Sequence, residues 1–257
     1  MKPKALVLQA HGTNRDIDVI EALTLAGADA IGIPLNELRM NKSLLSDSQL
    51  LVVPGGFSYA DALGAGKLLA LDLASYFEDE ISAFVESGKP VIGICNGFQA
   101  LVKAGILPGK SDAQATLTFN AEGHFECRWV TLKPISQTCI WTKDLDELIE
   151  CPTAHGEGNF QTSERSSLSS FIENDQIALA YVCPDGSPAN GEYPINPNGS
   201  MLDIAGICNA RGNVLGLMPH PENHIYPYQH PQWTRGINRH SGLALFKNGV
   251  KYAGALM

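Results

Sequence analysis

The chain contains 257 residues, of which 44% are hydrophobic and 18% are charged, and its formal net charge is −9. This composition is typical of a soluble globular protein, and the length fits one large α/β domain or two small ones. The acidic charge argues against nucleic acid as a main partner, and no apolar run approaches the length of a membrane span. The N-terminal apolar run is too short for a signal peptide, so we expect a cytoplasmic protein.

Short apolar runs alternate with helical patterns along the chain. Strands are predicted at residues 4–10, 28–35, 50–53, 90–94, 125–132, 177–183, 202–209 and 214–218. Helices are predicted from Asp16 as a cap to Gly27, with an apolar stripe at Ile17, Ile20, Leu23 and Ala26, and at 63–87, 144–149 and 241–253. This alternation indicates an α/β fold with a mostly parallel sheet and helices on both faces. Since no repeat or linker divides the chain, a single domain over residues 1–257 is predicted.

Two adjacent glycines, Gly55 and Gly56, follow the third predicted strand. Glycine permits unusual backbone angles and a close approach of ligand, and ligands of open α/β sheets bind at the carboxyl ends of strands. A ligand-binding loop is therefore predicted, with a plain turn as the alternative. The segment that follows contains Gly64 and Gly66 but does not match G-x-G-x-x-G, so dinucleotide binding is not favoured.

A cysteine lies between the strand predicted at 90–94 and the helical pattern after it. Cys95 is flanked at two residues' distance by Gly93 and Gly97, which is the pattern of a nucleophile elbow. The following helix N-terminus carries partial positive charge, which favours the thiolate. The alternative is a buried structural cysteine.

The remaining cysteines form no C-x-x-C pair, which argues against a structural zinc site or a redox motif. They are Cys127, Cys139, Cys151, Cys183 and Cys208. Several lie in apolar runs and are expected to be small core residues. A reduced, cytosolic protein is the simplest explanation.

A polar loop bounded by glycines is predicted at residues 154–160, and it contains His155 and Glu157. These side chains permit a metal-binding or acid–base interpretation, or they could hydrogen-bond the loop's own backbone. We favour a binding loop without a metal, because two candidate ligands are too few for a metal site.

The last predicted core strand runs into Pro219-His220-Pro221-Glu222. A proline disfavours helical geometry in the residue before it, and positions two apart on an extended chain point to the same side. Glu222 is therefore expected to reach the imidazole of His220 and to fix its tautomer. In isolation this segment would be a surface turn, but beside an elbow cysteine it predicts a base and its orienting carboxylate.

These residues predict acyl transfer through a thioester. Cys95 would attack a carbonyl carbon, His220 would move the proton, and Glu222 would stabilise the imidazolium. The developing oxyanion needs donors, for which the N–H groups of Gly56 and Asn96 are the candidates. The residues alone thus predict a cysteine hydrolase or amidase and leave the substrate open.

Several motifs resemble those of class I glutamine amidotransferases. The elbow at residues 93–99 and the His-Pro-Glu at 220–222 are general to that family. More particular are Pro-Gly-Gly-Phe-Ser-Tyr-Ala-Asp at 54–61, Ala-His-Gly-Glu-Gly at 154–158 and Asn-Pro-Asn-Gly-Ser at 196–200. With them, nearly the whole chain resembles the glutaminase subunits of phosphoribosylformylglycinamidine synthases. The resemblance implies a single-domain, flavodoxin-like amidotransferase fold.

The resemblance also implies hydrolysis of glutamine to glutamate and ammonia at Cys95. Gly55, Gln99, His155 and Glu157 would help to bind glutamine, or Gln99, His155 and Glu157 would face a partner. Ammonia would pass to a separate synthetase subunit that carries ATP and Mg²⁺ and makes formylglycinamidine ribonucleotide for purine biosynthesis, with a small bridging subunit as a further candidate partner. This chain itself would need no cofactor.

Two rival hypotheses remain at this point. One is a stand-alone cysteine amidase or peptidase of similar fold, and the other is a non-catalytic scaffold protein. The intact set of Cys95, His220 and Glu222 argues against the scaffold, because a protein without catalysis has no chemical need for it.

Overall fold

A computed structural model describes residues 1–109, 114–162, 165–236 and 241–257, with the backbone alone at 165–167. The strands are β1 (Lys4–Gln9), β2 (Asp29–Pro34), β3 (Leu50–Val53), β4 (Val91–Ile94), β5 (Ala115–Thr118), β6 (Glu126–Pro134), β7 (Ile149–His155), β8 (Asn159–Thr162), β9 (Ile177–Val182), β10 (Ile204–Cys208) and β11 (Val214–Leu217). The α-helices are α1 (Asp16–Ala26), α2 (Leu35–Met40), α3 (Ser43–Ser46), α4 (Lys67–Tyr76), α5 (Glu78–Glu86), α6 (Asn96–Lys103), α7 (Arg165–Glu173) and α8 (Leu243–Ala255).

Nine strands form one sheet in the order β2-β1-β3-β4-β11-β10-β9-β6-β7. The pairs from β2 to β11 are parallel, and the pairs from β11 to β7 are antiparallel. Within this sheet β10 and β6 therefore run against the other strands. The predicted α/β fold with a mostly parallel sheet is confirmed. A separate antiparallel pair, β5 and β8, extends beside it.

The central strands are apolar along their whole length because both faces of the sheet are covered. Every residue of β3, β4 and β11 is buried. The order β2-β1-β3-β4 is that of a flavodoxin-like sheet, in which ligands bind at the carboxyl edge near the point where the strand order reverses. The segments after β1, β3, β4 and β11 meet at this edge, and they contain most of the predicted site residues.

Helix α1 follows its predicted apolar stripe except at Ile17, which is 74% exposed. Leu23 is buried, and Ile20 and Ala26 pack against the core. The predicted cap is also wrong, since Asp16 is the first helical residue and accepts a hydrogen bond from Gln9 Nε2. The predicted end is right, because Gly27 follows the helix with a φ of 104°.

Other departures from the sequence prediction arise where distant strand pairing or a break in a helix decides the local structure. No helix forms at residues 144–149, and Ile149 instead begins β7, where it pairs with Leu132 of β6. The long helix predicted at 63–87 is divided at Phe77 into α4 and α5. The short elements α2, α3, β5 and β8 were not predicted, because four to six residues carry too little periodicity. Within the described ranges, no helix is long and apolar enough to cross a membrane.

Candidate active site

Cys95 occupies a sharp turn between β4 and α6, with φ 50° and ψ −107°. Such a backbone is costly for a residue with a side chain, and strain of this kind concentrates at functional sites. The flanking glycines permit the close packing of the turn. A Cβ at Gly97 would lie 1.8 Å from the carbonyl oxygen of Val53, and one at Gly93 would lie 2.5 Å from Cδ1 of Leu101. The backbone thus has the strand-to-helix turn of a nucleophile elbow.

His220 lies beyond the carboxyl end of β11, beside Cys95. Its Nδ1 is 2.7 Å from Glu222 Oε1, and both side chains are buried. The contact forms differently from the prediction of an extended segment, because Glu222 lies in a 3-10 turn that begins at Pro221. Gly55 leaves room for the ring, since a Cβ there would lie 2.7 Å from His220 Cε1.

The imidazole of His220 is held in its protonated form. Burial disfavours the charge, but the negative charges of Glu222 and Cys95, and hydrogen bonds to both side chains, raise the pKa of His220 to about 10. Oε2 of Glu222 is buried and has no hydrogen-bond partner in the described part of the chain. The arrangement can therefore hold a thiolate–imidazolium pair next to a buried carboxylate.

Two backbone N–H groups beside Cys95 have no acceptor in the part of the chain that the structure describes. Residue Gly56 pairs with Thr13 in an isolated antiparallel bridge. The bonds of this bridge run from Asn14 N to the oxygen of Gly55 and from Phe57 N to the oxygen of Gly12, so Gly56 N–H takes no part in it. Asn96 is the first residue of α6, where an amide has no partner within its helix.

A cavity of about 140 Å³ opens over Cys95. It is lined by Gly56, Phe57, Asp61, Ala65, Cys95, Gln99, Phe125, Ala154, His155, Gly156 and Glu157. The half-exposed rings of Phe57 and Phe125 stack with centroids 6.3 Å apart, and Cys95 Sγ lies 3.7 Å from the carbonyl oxygen of Ala154. A larger groove of about 270 Å³ lies between α5 and the segment after α6, and it contains none of the predicted site residues.

Gln99 and Glu157 are joined to each other at one wall of this cavity. Gln99 Nε2 donates to the carbonyl oxygen of Glu157 at 2.6 Å, and its Oε1 accepts from Asn96 Nδ2 at 3.2 Å. The carboxylate of Glu157 lies 3.5 Å from Lys103 Nζ and accepts from the amide of Ala65 at 3.3 Å. Both predicted binding residues are thus at the cavity, and their contact with a substrate stays a prediction.

His155 is the last residue of β7 rather than part of a loop, and the turn at residues 156–158 follows it. Its Nε2 lies 3.1 Å from Asn198 Nδ2, and its Nδ1 lies 2.9 Å from Thr153 Oγ1. Asn198 uses its oxygen for Ser200, so its amide nitrogen faces the ring as a donor. Burial, with a contribution from the charge of His220, lowers the pKa of His155 to about 3. The ring is neutral at physiological pH, which argues against its acid–base alternative.

A buried hydrogen-bond network surrounds the side chain of Asn96, and it was not predicted from the sequence. Its Oδ1 accepts from the amide and the hydroxyl of Ser58, at 3.1 and 2.5 Å, and its Nδ2 donates to Asp61 Oδ1 at 2.8 Å. Tyr59, Ala60 and Asp61 all have left-handed backbones, with φ of 54°, 56° and 51°, at a cost of about 1–2 kcal/mol each. The motif at 54–61 was the available signal, since it ends in Asp61.

Comparisons with known proteins agree with this geometry. The CobB/CobQ-like glutamine amidotransferase domain matches residues 2–253. A phosphoribosylformylglycinamidine synthase subunit PurQ of Treponema denticola is 54% identical, over 98% of this chain and 99% of the relative. A protein of the same name from Dehalococcoides mccartyi is 43% identical, over 98% of each chain.

A solved structure is similar as well. A chain in the structure of PurLQS from Thermotoga maritima matches with a TM-score of 0.74 and 31% identity. The match covers 98% of this chain and 99% of that chain. Fold and sequence similarity therefore extend over the same length, including every residue of the candidate site.

Proposed function

Since the chain belongs to the family of CobB/CobQ-like glutamine amidotransferases, we propose that it is the glutaminase subunit of a phosphoribosylformylglycinamidine synthase in purine biosynthesis. Its relatives of that name match nearly the full length of both chains at up to 54% identity. The observation that carries the chemistry is the buried set of Cys95, His220 and Glu222. Beside it are two amides, of Gly56 and Asn96, that form no hydrogen bond with the described residues.

The first half of the reaction forms a thioester. The Cys95 thiolate attacks the side-chain amide carbon of glutamine, and the new C–S bond moves an electron pair onto the carbonyl oxygen. The N–H groups of Gly56 and Asn96 stabilise this oxyanion. When the tetrahedral intermediate collapses, the C–N bond breaks and His220 gives its proton to the leaving ammonia.

The second half releases glutamate. Water attacks the thioester carbon while the neutral His220 accepts its proton. The C–S bond then breaks, which returns the thiolate and leaves imidazolium at His220. Glu222 holds the ring in position in both halves and stabilises its positive charge. In total, one glutamine and one water give one glutamate, one ammonia and one proton, which the new carboxyl group releases.

Other residues of the site serve substrate binding in this proposal. Gly55 keeps the space at His220 free, and Gln99 and Glu157 fix the wall that the substrate contacts. His155 acts as a neutral, fixed ring in the floor of the same cavity. We also propose that all 257 residues act as one domain.

Ammonia made here is useful only if it reaches a second site. We infer a synthetase partner that binds ATP and Mg²⁺, with a small bridging subunit in the same complex and the cytoplasm as their location. The word subunit in the names of the relatives and the similarity to a chain of PurLQS support a multi-chain assembly. This chain contributes the ammonia-producing half of the reaction.

The test measures glutamate release from glutamine by the purified chain, with and without the synthetase of the same organism. We expect weak release alone, stronger release in the complex, and formylglycinamidine ribonucleotide formation with ATP. A glutamine-like electrophile should label Cys95 in preference to the other cysteines. A complex that leaves glutamine intact, or labelling spread evenly over several cysteines, would overturn the proposal.

A further inference from the structure

The cavity over Cys95 contains two carboxylates, Asp61 and Glu157, whose partners differ. Glu157 lies 3.5 Å from Lys103 Nζ and also accepts from the amide of Ala65. Its charge is therefore paired with a cation of the protein. Asp61 has no such cation at hydrogen-bond distance among the described residues, and the charge of Lys103 acts on it only from farther away.

The carboxylate of Asp61 is held by one oxygen. Oδ1 accepts from Asn96 Nδ2 at 2.8 Å and from the amide of Gly66 at 3.3 Å. Oδ2 has no hydrogen-bond partner in the described ranges. It is also not one of the fully buried side-chain oxygens that lack a partner among the described residues. The carboxylate thus has a fixed orientation and a free acceptor. Burial raises the pKa of Asp61, which means that its charge is poorly solvated.

The backbone around Asp61 holds its carboxylate in a fixed position. Residues Tyr59 to Asp61 form a left-handed turn, which side chains oppose unless surrounding contacts hold it. Those contacts exist, because Tyr59 N donates to the oxygen of His11, the Tyr59 hydroxyl donates to Asp72, and Ser58 donates to Asn96. The turn directs a carboxylate to the helix that begins beside Cys95.

We propose that Asp61 recognises the α-ammonium group of the substrate glutamine and thereby selects an α-amino acid over simpler amides. This inference rests on the proposed glutaminase function, and it assigns to Asp61 a role in specificity. Glutamine carries its reacting amide at one end and a cation at the other. With the amide carbon at Cys95, the ammonium group meets the carboxylate of Asp61 in the same cavity and donates a hydrogen bond to its free Oδ2.

The test compares two substrates in the complex with its synthetase. Glutamine and glutaramate, which is glutamine without the α-amino group, are assayed by ammonia release. The wild-type complex should prefer glutamine about 10- to 100-fold in kcat/KM, the worth of hydrogen bonds to a charged group. Asp61→Asn keeps an oxygen for Asn96 and Gly66 but removes the charge. It should raise the KM for glutamine, leave glutaramate near its wild-type rate, and bring both substrates within about 3-fold.

Asp72→Asn is the matched control, because Asp72 holds the same turn through Tyr59 but does not line the cavity. It should keep the preference for glutamine whatever its effect on stability. An unchanged preference in Asp61→Asn, or an equal loss of both substrates, would overturn the role of Asp61. Should Asp61→Asn not fold, Asp61→Ser replaces it in the same comparison. The wild-type complex also provides a test, since equal kcat/KM values for glutamine and glutaramate would contradict the proposal. A wild-type complex that hydrolyses neither substrate would instead contradict the glutaminase function itself.

Discussion

Two buried histidines, His220 after β11 and His155 at the end of β7, lie in one site with opposite charge states. The pKa of His220 is raised to about 10, and that of His155 is lowered to about 3. Burial disfavours the imidazolium in both places. The difference arises from their partners, because His220 contacts the carboxylate of Glu222 while His155 contacts the amide of Asn198 and a hydroxyl. Burial acts in the same direction on both rings, so the charge of the neighbouring group decides which of the two is protonated.

The two rings also affect each other. The positive charge of His220 is one cause of the lowered pKa of His155. A second imidazolium here would repel the first and weaken its hold on a proton. The neutral ring at the end of β7 therefore supports the charged ring after β11, while it forms part of the cavity wall.

The largest change expected is from Cys95→Ala, which removes the nucleophile and one of the charges that sustain the imidazolium. Glutamate release by the complex should fall about 10⁴-fold or more, and the pKa of His220 should move down from about 10. A coupled glutamate assay and NMR titration of the imidazole measure these effects. The exposed Cys127 provides the control variant, Cys127→Ala, which should keep its activity. Hydrolysis by Cys95→Ala within about 10-fold of wild type would contradict the thioester mechanism.

Glu222→Gln should make His220 more similar to His155. Without the carboxylate the pKa of His220 should fall, and turnover should drop by about 10²- to 10⁴-fold, as for other orienting carboxylates of catalytic triads. The pH profile of kcat measures both. Glu150→Gln is the control, since Glu150 contacts His230, at 3.0 Å, instead of His220. If the pH profile of kcat for Glu222→Gln coincides with that of the wild type, the carboxylate has no part in the mechanism.

The pH dependence of stability should separate the two histidines. The folded pKa of His155, about 3, lies below the ordinary value of 6.5, so the stability it contributes is present above pH 6.5 and is lost as pH falls towards 3. His220 has the reverse sign, and its contribution is present below pH 6.5 and is lost as pH rises through about 10. Between pH 7 and pH 5, His155 should cost the wild type about 2 kcal/mol.

Urea unfolding at several pH values measures this difference. His155→Gln should show a shallower loss of stability below pH 6.5 than the wild type. The exposed His11 serves as control, and His11→Gln should follow the wild-type curve. Parallel curves for His155→Gln and the wild type would show that His155 does not titrate as we expect.

The smallest effect is expected from Asn198→Asp, which places a carboxylate at Nε2 of His155 and keeps an acceptor for Ser200. The pKa of His155 should rise from about 3 towards or above 6.5. The added positive charge near His220 should slow hydrolysis by less than about 10-fold. NMR titration of the ring measures the pKa of His155 in this variant. An imidazole that stays neutral at pH 5 would show that the charge of the partner does not determine this pKa.

The parts of the site that sequence predicted are local in the chain. The turn at Cys95 follows from glycines two residues away on each side, and the contact of His220 with Glu222 spans two residues. The alternation of buried strands and helices likewise indicated the sheet on whose carboxyl edge these segments meet. Where local patterns were weak they failed, as at Ile17 and in the helix expected at residues 144–149.

The sequence by itself determined the fold class, the sharp turn at Cys95 and the proximity of His220 to Glu222, because each depends on neighbouring residues or on a regular period. Only the tertiary structure decided which ring is charged and which carboxylate is free. Those properties depend on partners far apart in the chain, such as Asn198 for His155 over 43 residues and Asn96 for Asp61 over 35. Burial and charge from distant segments determine the pKa values and the free acceptors of a site. Neither property can be predicted from the spacing of residues along the chain.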